Sequence, residues 1–136
     1  MTLPASTDTL TPATGSALVE RWTALWNGDF GDPGSFLAPD FRIRFGSNPD
    51  GSPDTDGLRG PSAIVDMIAG HRATHPGLRY AVEDTPVVDP ALGRAAVCWY
   101  VTRPDGTQKS GIDLFEVVEG RIATVWSVTG LRRFAP

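Results

Sequence analysis

Cysteine is all but missing from this chain of 136 residues, where Cys98 stands alone. A single thiol can neither close an internal disulfide nor supply a metal-site pattern, which fits a reducing compartment, and its simplest role is that of a small buried hydrophobe. Basic residues are also in deficit. Twelve Lys and Arg stand against 16 Asp and Glu, for a net charge of −4 with no basic cluster, which argues against a nucleic-acid backbone as partner. The first stretch, MTLPASTDTLTPATG, lacks both the basic region and the apolar core of a signal peptide or membrane anchor. Residues 1–15 therefore read as a disordered Ser/Thr/Pro tail ahead of one cytoplasmic domain over 16–136. What the chain does have is apolar mass: 40% apolar residues, four Trp and six Phe make a globular composition.

Leu18, Val19, Trp22, Leu25 and Trp26 recur at helical spacing behind Ser16, a plausible N-cap, with Gly28 as a plausible C-cap. The spacing predicts a helix over roughly Ala17 to Asn27. FRIRF then alternates strictly, with Phe41, Ile43 and Phe45 on the inner face of a strand and Arg42 and Arg44 on the outer face. A loop rich in Gly, Pro, Ser and Asp, residues 46–60, is placed to act as a lid and ends at Gly60-Pro61, which announces a second helix with Ile64, Met67, Ile68 and His71 on one face. From Leu78 the pattern is strand, turn, strand to the end, so helices precede a curved antiparallel sheet in an α+β layout.

Asp113 interrupts an apolar strand, GIDLFEVV, and shares a face with Gly111, Phe115 and Val117. On a buried face it would have a raised pKa and could exchange a proton near neutral pH; on a solvated face it would be an ordinary surface acid. The turn Arg103-Pro-Asp-Gly-Thr107 is the sequence of a three-residue hairpin loop with Gly106 left-handed. That register sets Trp99 opposite Gly111 and Val97 opposite Asp113, whereas a two-residue loop would bring Cys98 and Tyr100 to the acid's side. The last turn is open in the same way. Three residues at Val118-Glu119-Gly120 put Val125 and Ser127 beside Asp113, and two residues at Glu119-Gly120 put Trp126 there.

The order of helix, WNGDF, FLAPDFRIRF, a Gly-Pro-started helix and GIDLFEVVEGRIATVWSV resembles the SnoaL-like and ketosteroid-isomerase-like branch of the nuclear-transport-factor-2-like superfamily, over about residues 15 to 130. The resemblance implies a cone-shaped α+β barrel: a strongly bent antiparallel sheet wrapped around N-terminal helices with one internal pocket, often dimeric through the outer face of the sheet. It also implies that Asp113 falls where ketosteroid isomerases keep a protonated acid that donates to the substrate oxyanion. Phe45 stands where their general base stands, Trp22 where their oxyanion-hole tyrosine stands, and Ser127 where SnoaL-like polyketide cyclases carry an acid.

A base must then come from elsewhere, and His71, on the pocket-facing stripe of the second helix, is the candidate; a histidine lining the last turn of a helix is its plainer reading. His75 lies four residues on, but no third ligand sits at a useful spacing, so no metal is expected. Asp54, Asp56 and Gly57 match part of a calcium loop whose twelfth position is Ala63, which cannot ligate. Trp22, Phe41, Phe45, Met67, Trp99, Phe115, Val125 and Ser127 are candidate pocket walls, and Trp26 reads as core. The expected function is a small-molecule pocket protein, either a cofactor-independent cyclase, isomerase or dehydratase acting on a hydrophobic carbonyl compound or a non-catalytic binder of one.

Overall fold

The computed structural model of the protein describes residues 9–47 and 53–135. Helix α1 runs from Pro12 to Trp26 and so starts earlier than the apolar spacing predicts. Thr11, rather than Ser16, is the N-cap: its hydroxyl accepts from the Thr14 backbone N–H at 3.1 Å, and the Thr14 hydroxyl accepts from the Thr11 N–H at 2.7 Å. This is a capping box with Thr in the place usually held by Glu, followed by Pro at the first helical position. Residues 12–15 are therefore helix, and of the expected tail residues 1–8 lie outside the described residues. The helix buries Val19, Trp22 and Leu25, and ends where Gly28 takes a φ of +90°.

After a 3-10 turn at Pro33–Ser35, strand β1 covers Leu37–Phe45 and begins four residues before FRIRF. Helices α2 (Pro53–Asp56) and α3 (Pro61–Thr74) follow, the short α2 lying inside the loop expected to be a lid. The rest of that loop's tip, 48–52, lies outside the described residues. Helix α3 buries Ile64 and Ile68 and keeps Met67 and His71 half-buried on the same side. The stretch LRYAVEDTPVV divides into β2 (Arg79–Val82) and β3 (Val87–Asp89), and β4 (Arg94–Thr102), β5 (Gln108–Val118) and β6 (Arg121–Thr129) complete one sheet ordered β1-β6-β5-β4-β2, with β3 also on β4.

Most neighbours in the sheet are antiparallel as expected, but β1 runs parallel to β6, so the sheet is mixed rather than wholly antiparallel. A parallel neighbour needs a long crossover, and everything from α2 to β5 supplies it. Class and shape agree with expectation: a bent, open sheet curved over α1 and α3 in a cone-shaped α+β fold.

Both hairpin registers bring the same side chains together by different routes. At the β4–β5 turn the Arg103 N–H donates to the Thr107 carbonyl at 2.9 Å and Gly106 has φ +85°, so the three-residue loop holds and Val97 faces Asp113. The β5–β6 turn has only two residues, Glu119 (φ +52°) and Gly120 (φ +76°), the pattern that twists correctly for a hairpin. By itself it would put Trp126 opposite Asp113. A bulge shifts the register between Glu116 and Val117, where Val117 pairs Ile122 but Glu116 pairs Thr124, so Ala123 is the extra residue. Ser127 therefore faces Asp113, and Trp126 turns outward.

Candidate functional site

The concave face of the sheet grades from core to cavity. At its closed end Phe41, Phe115 and Val125 are at most 1% exposed, and the Trp22 indole packs on Phe41 and Phe115 with ring centroids 5.7 and 6.0 Å apart. Phe41, Phe115 and Val125 are not among the residues that line the cavity; they belong to the core, with the Trp22 indole packed on the two phenyl rings. Beyond lies a cavity of about 500 Å³, in the range of about 300–1,000 Å³ typical of small-molecule sites. Of the expected walls, Trp22, Phe45, Met67, Trp99 and Ser127 line it, together with Asp113 and His71.

Asp113 is 5% exposed at the inner end of this cavity. The Trp22 Nε1–H donates to its Oδ2 at 2.9 Å and the Trp99 Nε1–H donates to its Oδ1 at 3.0 Å. The position that the family resemblance equates with an oxyanion-hole tyrosine thus points its N–H at the acid. Burial pushes the Asp113 pKa up, while hydrogen bonds from Ser127, Trp22 and Trp99 pull it down without cancelling the rise. Two indoles and a hydroxyl, all neutral, cannot replace the solvation a carboxylate loses there.

Gly111 makes this clamp possible. A Cβ on it would lie 2.2 Å from Cζ2 of Trp99, so the indole lies flat across the glycine to reach the carboxyl. Sequence spacing had already paired the two residues.

His71 half-emerges into the same cavity from α3, its ring edge-on to Trp26 at 6.2 Å and tilted over His75 at 4.7 Å. Burial lowers its pKa, and the charges of His75, Arg72 and Lys109 lower it further, so the ring is neutral at pH 7 and can accept a proton. Tyr80 was missed by sequence reasoning. The Asn27 side chain clamps its backbone in both directions, Nδ2 donating to the Tyr80 carbonyl at 2.9 Å and Oδ1 accepting from its N–H at 2.7 Å. Burial raises its phenol pKa to about 12, Arg72 opposing and Asp113 adding to the rise, so it keeps its proton.

Trp26, expected as core, also lines the cavity, and its buried Nε1–H has no hydrogen-bond partner among the described residues. Among those residues no group of three or more His, Cys, Asp or Glu side chains is gathered that could hold a metal ion, and no helix is long and apolar enough to cross a membrane.

Comparison with known proteins follows the fold. The family model of the SnoaL-like domain matches residues 19–125. Among solved structures, an NTF2-like protein of unknown function from Mesorhizobium loti superposes with a TM-score of 0.69 at 20% identity, over 96% of this chain and 100% of that one. A SnoaL-like polyketide cyclase from Agrobacterium tumefaciens gives 0.65 at 19% identity, over 86% and 91%. A protein of unknown function with a cystatin-like fold from Methylobium petroleophilum gives 0.73 at 16% identity, over 93% and 82%. A comparison with curated proteins gives no match.

Proposed function

Starting from the fact that the chain belongs to the SnoaL-like domain family, we propose that its cavity binds a hydrophobic, carbonyl-bearing small molecule of polyketide-like or polycyclic shape and shifts a proton on it, as an isomerase or cyclase does. The observation that carries this reading is the buried carboxyl of Asp113 opening on an aromatic cavity that also holds a neutral imidazole. Because burial raises the Asp113 pKa, its carboxyl keeps a proton to higher pH than a solvated aspartate and can give it to a carbonyl oxygen, while His71 takes the proton from the carbon beside that carbonyl. The C–H electron pair becomes the enol double bond and the carbonyl π pair takes up the Asp113 proton as a hydroxyl; when His71 returns its proton at another carbon of the conjugated system, the hydroxyl gives its proton back to Asp113, which re-forms the carbonyl and completes an isomerisation. Tyr80 supplies a neutral O–H donor in the same wall.

Proton exchange at the α-carbon tests this without knowledge of the natural substrate. With 2-tetralone as probe in D2O, the wild-type protein is expected to accelerate loss of the α-proton NMR signals in a saturable way. His71→Gln should reduce that rate about 10²-fold while leaving tetralone affinity within a few-fold. Binding of tetralone with no acceleration over buffer would sink the catalytic reading.

That outcome would leave the second reading, a non-catalytic binding module, which rests on the hydrogen bond that each Asp113 oxygen already accepts from an indole N–H. We also propose a homodimer through the outer face of the sheet, where Ile112 and Val128 pair side by side and are 41% and 46% exposed. Sedimentation of the wild-type chain as a monomer at micromolar concentration would remove this proposal.

A further inference from the structure

The inner face of the β4–β5 hairpin carries an ordered sequence of charges. Odd-numbered residues of both strands face the cavity, so Asp113, Gly111 and Lys109 succeed one another on β5, opposite Val97, Trp99 and Val101 on β4. Arg103 continues the β4 series at the turn. The acid is buried, Lys109 is half-buried and Arg103 is exposed, which sets the two cations at the open end. His75 joins them from the end of α3, and the two rims meet where Gly77 packs under the Pro104 ring. The side chains of Lys109 and Arg103 form no hydrogen bond and no ion pair within 4.0 Å among the described residues, and Asp113 is the one carboxylate among those residues that line the cavity. The Arg103 charge also acts on the exposed Asp105 of the turn, so in a chain of net charge −4 a mouth with two cations and one nearby acid is still a local reversal of sign.

We propose that the ligand of this cavity is a hydrophobic carboxylic acid, its anionic carboxylate held at the mouth by Lys109 and Arg103 and its far, uncharged oxygen set against Asp113. Along β5 the two ends are four residues apart, about 13 Å between Cα atoms, which suits a planar ligand of two or three fused rings once the side chains reach inward. The polarity also orients the ligand. A carboxylate driven to the inner end would meet the buried Asp113 with no cation at hand, whereas a neutral oxygen there meets groups that can hydrogen-bond it. This assignment rests on the cavity being the ligand site proposed above and adds to it the charge of the ligand and its direction of entry.

The test compares 6-hydroxy-2-naphthoate with its uncharged isostere 6-hydroxy-2-naphthamide by isothermal titration calorimetry on the full chain at low salt. The acid is expected to bind about tenfold more tightly than the amide, with the difference shrinking as salt is added. The double substitution Arg103→Gln, Lys109→Gln is expected to bring the ratio close to one, and Lys109→Glu to favour the amide. Equal affinity for acid and amide in the wild type overturns the assignment of the anion while leaving the cavity as a ligand site. A preference that survives the double substitution overturns the assignment to Lys109 and Arg103. Binding of neither compound overturns both this inference and the cavity reading beneath it.

Discussion

Gly111→Ala is expected to destabilise the protein by about 2–4 kcal/mol, a drop in melting temperature of roughly 10 °C. The new Cβ would sit 2.2 Å from Cζ2 and 2.5 Å from Cε2 of Trp99, and 2.6 Å from the Val128 carbonyl oxygen. The indole is a rigid plate and the carbonyl belongs to the neighbouring strand, so neither contact is relieved by a simple rotamer change. Trp99 must leave its seat, and with it goes the 3.0 Å hydrogen bond to Asp113. Thermal denaturation and near-ultraviolet circular dichroism together read the effect: the melting point falls and the tryptophan bands weaken in the folded variant. A variant that melts within 2 °C or so of wild type would mean that Trp99 does not lie across Gly111.

Asp113→Asn carries the second large effect, and it acts on activity and stability at once. An amide cannot give up a proton near neutral pH, so α-proton exchange of 2-tetralone should fall about 10²- to 10⁴-fold with affinity changed only a few-fold. On stability, the amide offers one oxygen where the carboxyl offered two, so one indole N–H faces an N–H2 group at a cost of about 1–3 kcal/mol. The cost depends on pH in a defined direction. Because the folded-state pKa of Asp113 is raised, its stabilising contribution is full below the unfolded value of about 3.9 and is lost as pH rises through the folded value. The gap between wild type and Asp113→Asn, read from urea denaturation, should therefore narrow as pH rises. Glu83 behaves oppositely. Burial would raise its pKa, but Arg133 at 2.9 Å, the Ala135 N–H and Ser110 together hold it down, and this contribution is common to both proteins and cancels in the difference.

What the sequence made legible was what strand alternation and turn chemistry control. Pro104-Asp105-Gly106 fixed the register that faces Trp99 to Gly111 and Val97 to Asp113, and FRIRF located Phe41 and Ile43 in the core. The β5–β6 register was not legible from its turn, since Glu119-Gly120 makes a two-residue turn whose register the bulge at Ala123 then offsets by one. No residue type announces such a bulge; it is the burial of Val125 and Ser127 on the concave face that selects it. The start of α1 was hidden for a related reason: Thr14 does the work expected of an acid at the third helical position.

The same division holds for the site. Asp113, Trp22, Trp99 and His71 could be named because each lies on an element with a clear phase. Tyr80 could not, because β2 reaches β4 by an irregular connection through β3 with no turn to set its register, and its place depends on the Asn27 clamp from another element. Helical spacing alone reads Trp26 as core. The stripe was right, but α1 overhangs the cavity at that turn, and the depth of a cavity is a property of the whole cone rather than of one helix. Phe41, Phe115 and Val125 err in the other direction, since a ring at core spacing and a ring at a cavity wall have the same pattern.

The account turns on the state of one carboxyl, and a carbon-13 NMR titration of the Asp113 carboxyl, assigned by its disappearance in Asp113→Asn, measures it directly. The predicted result is a pKa above the ordinary aspartate value of about 3.9, as befits an acid whose burial outweighs its hydrogen bonds. A pKa at or below that value would contradict the account, because the carboxylate would then be a fixed anion held by Trp22, Trp99 and Ser127, with no proton to give to a ligand.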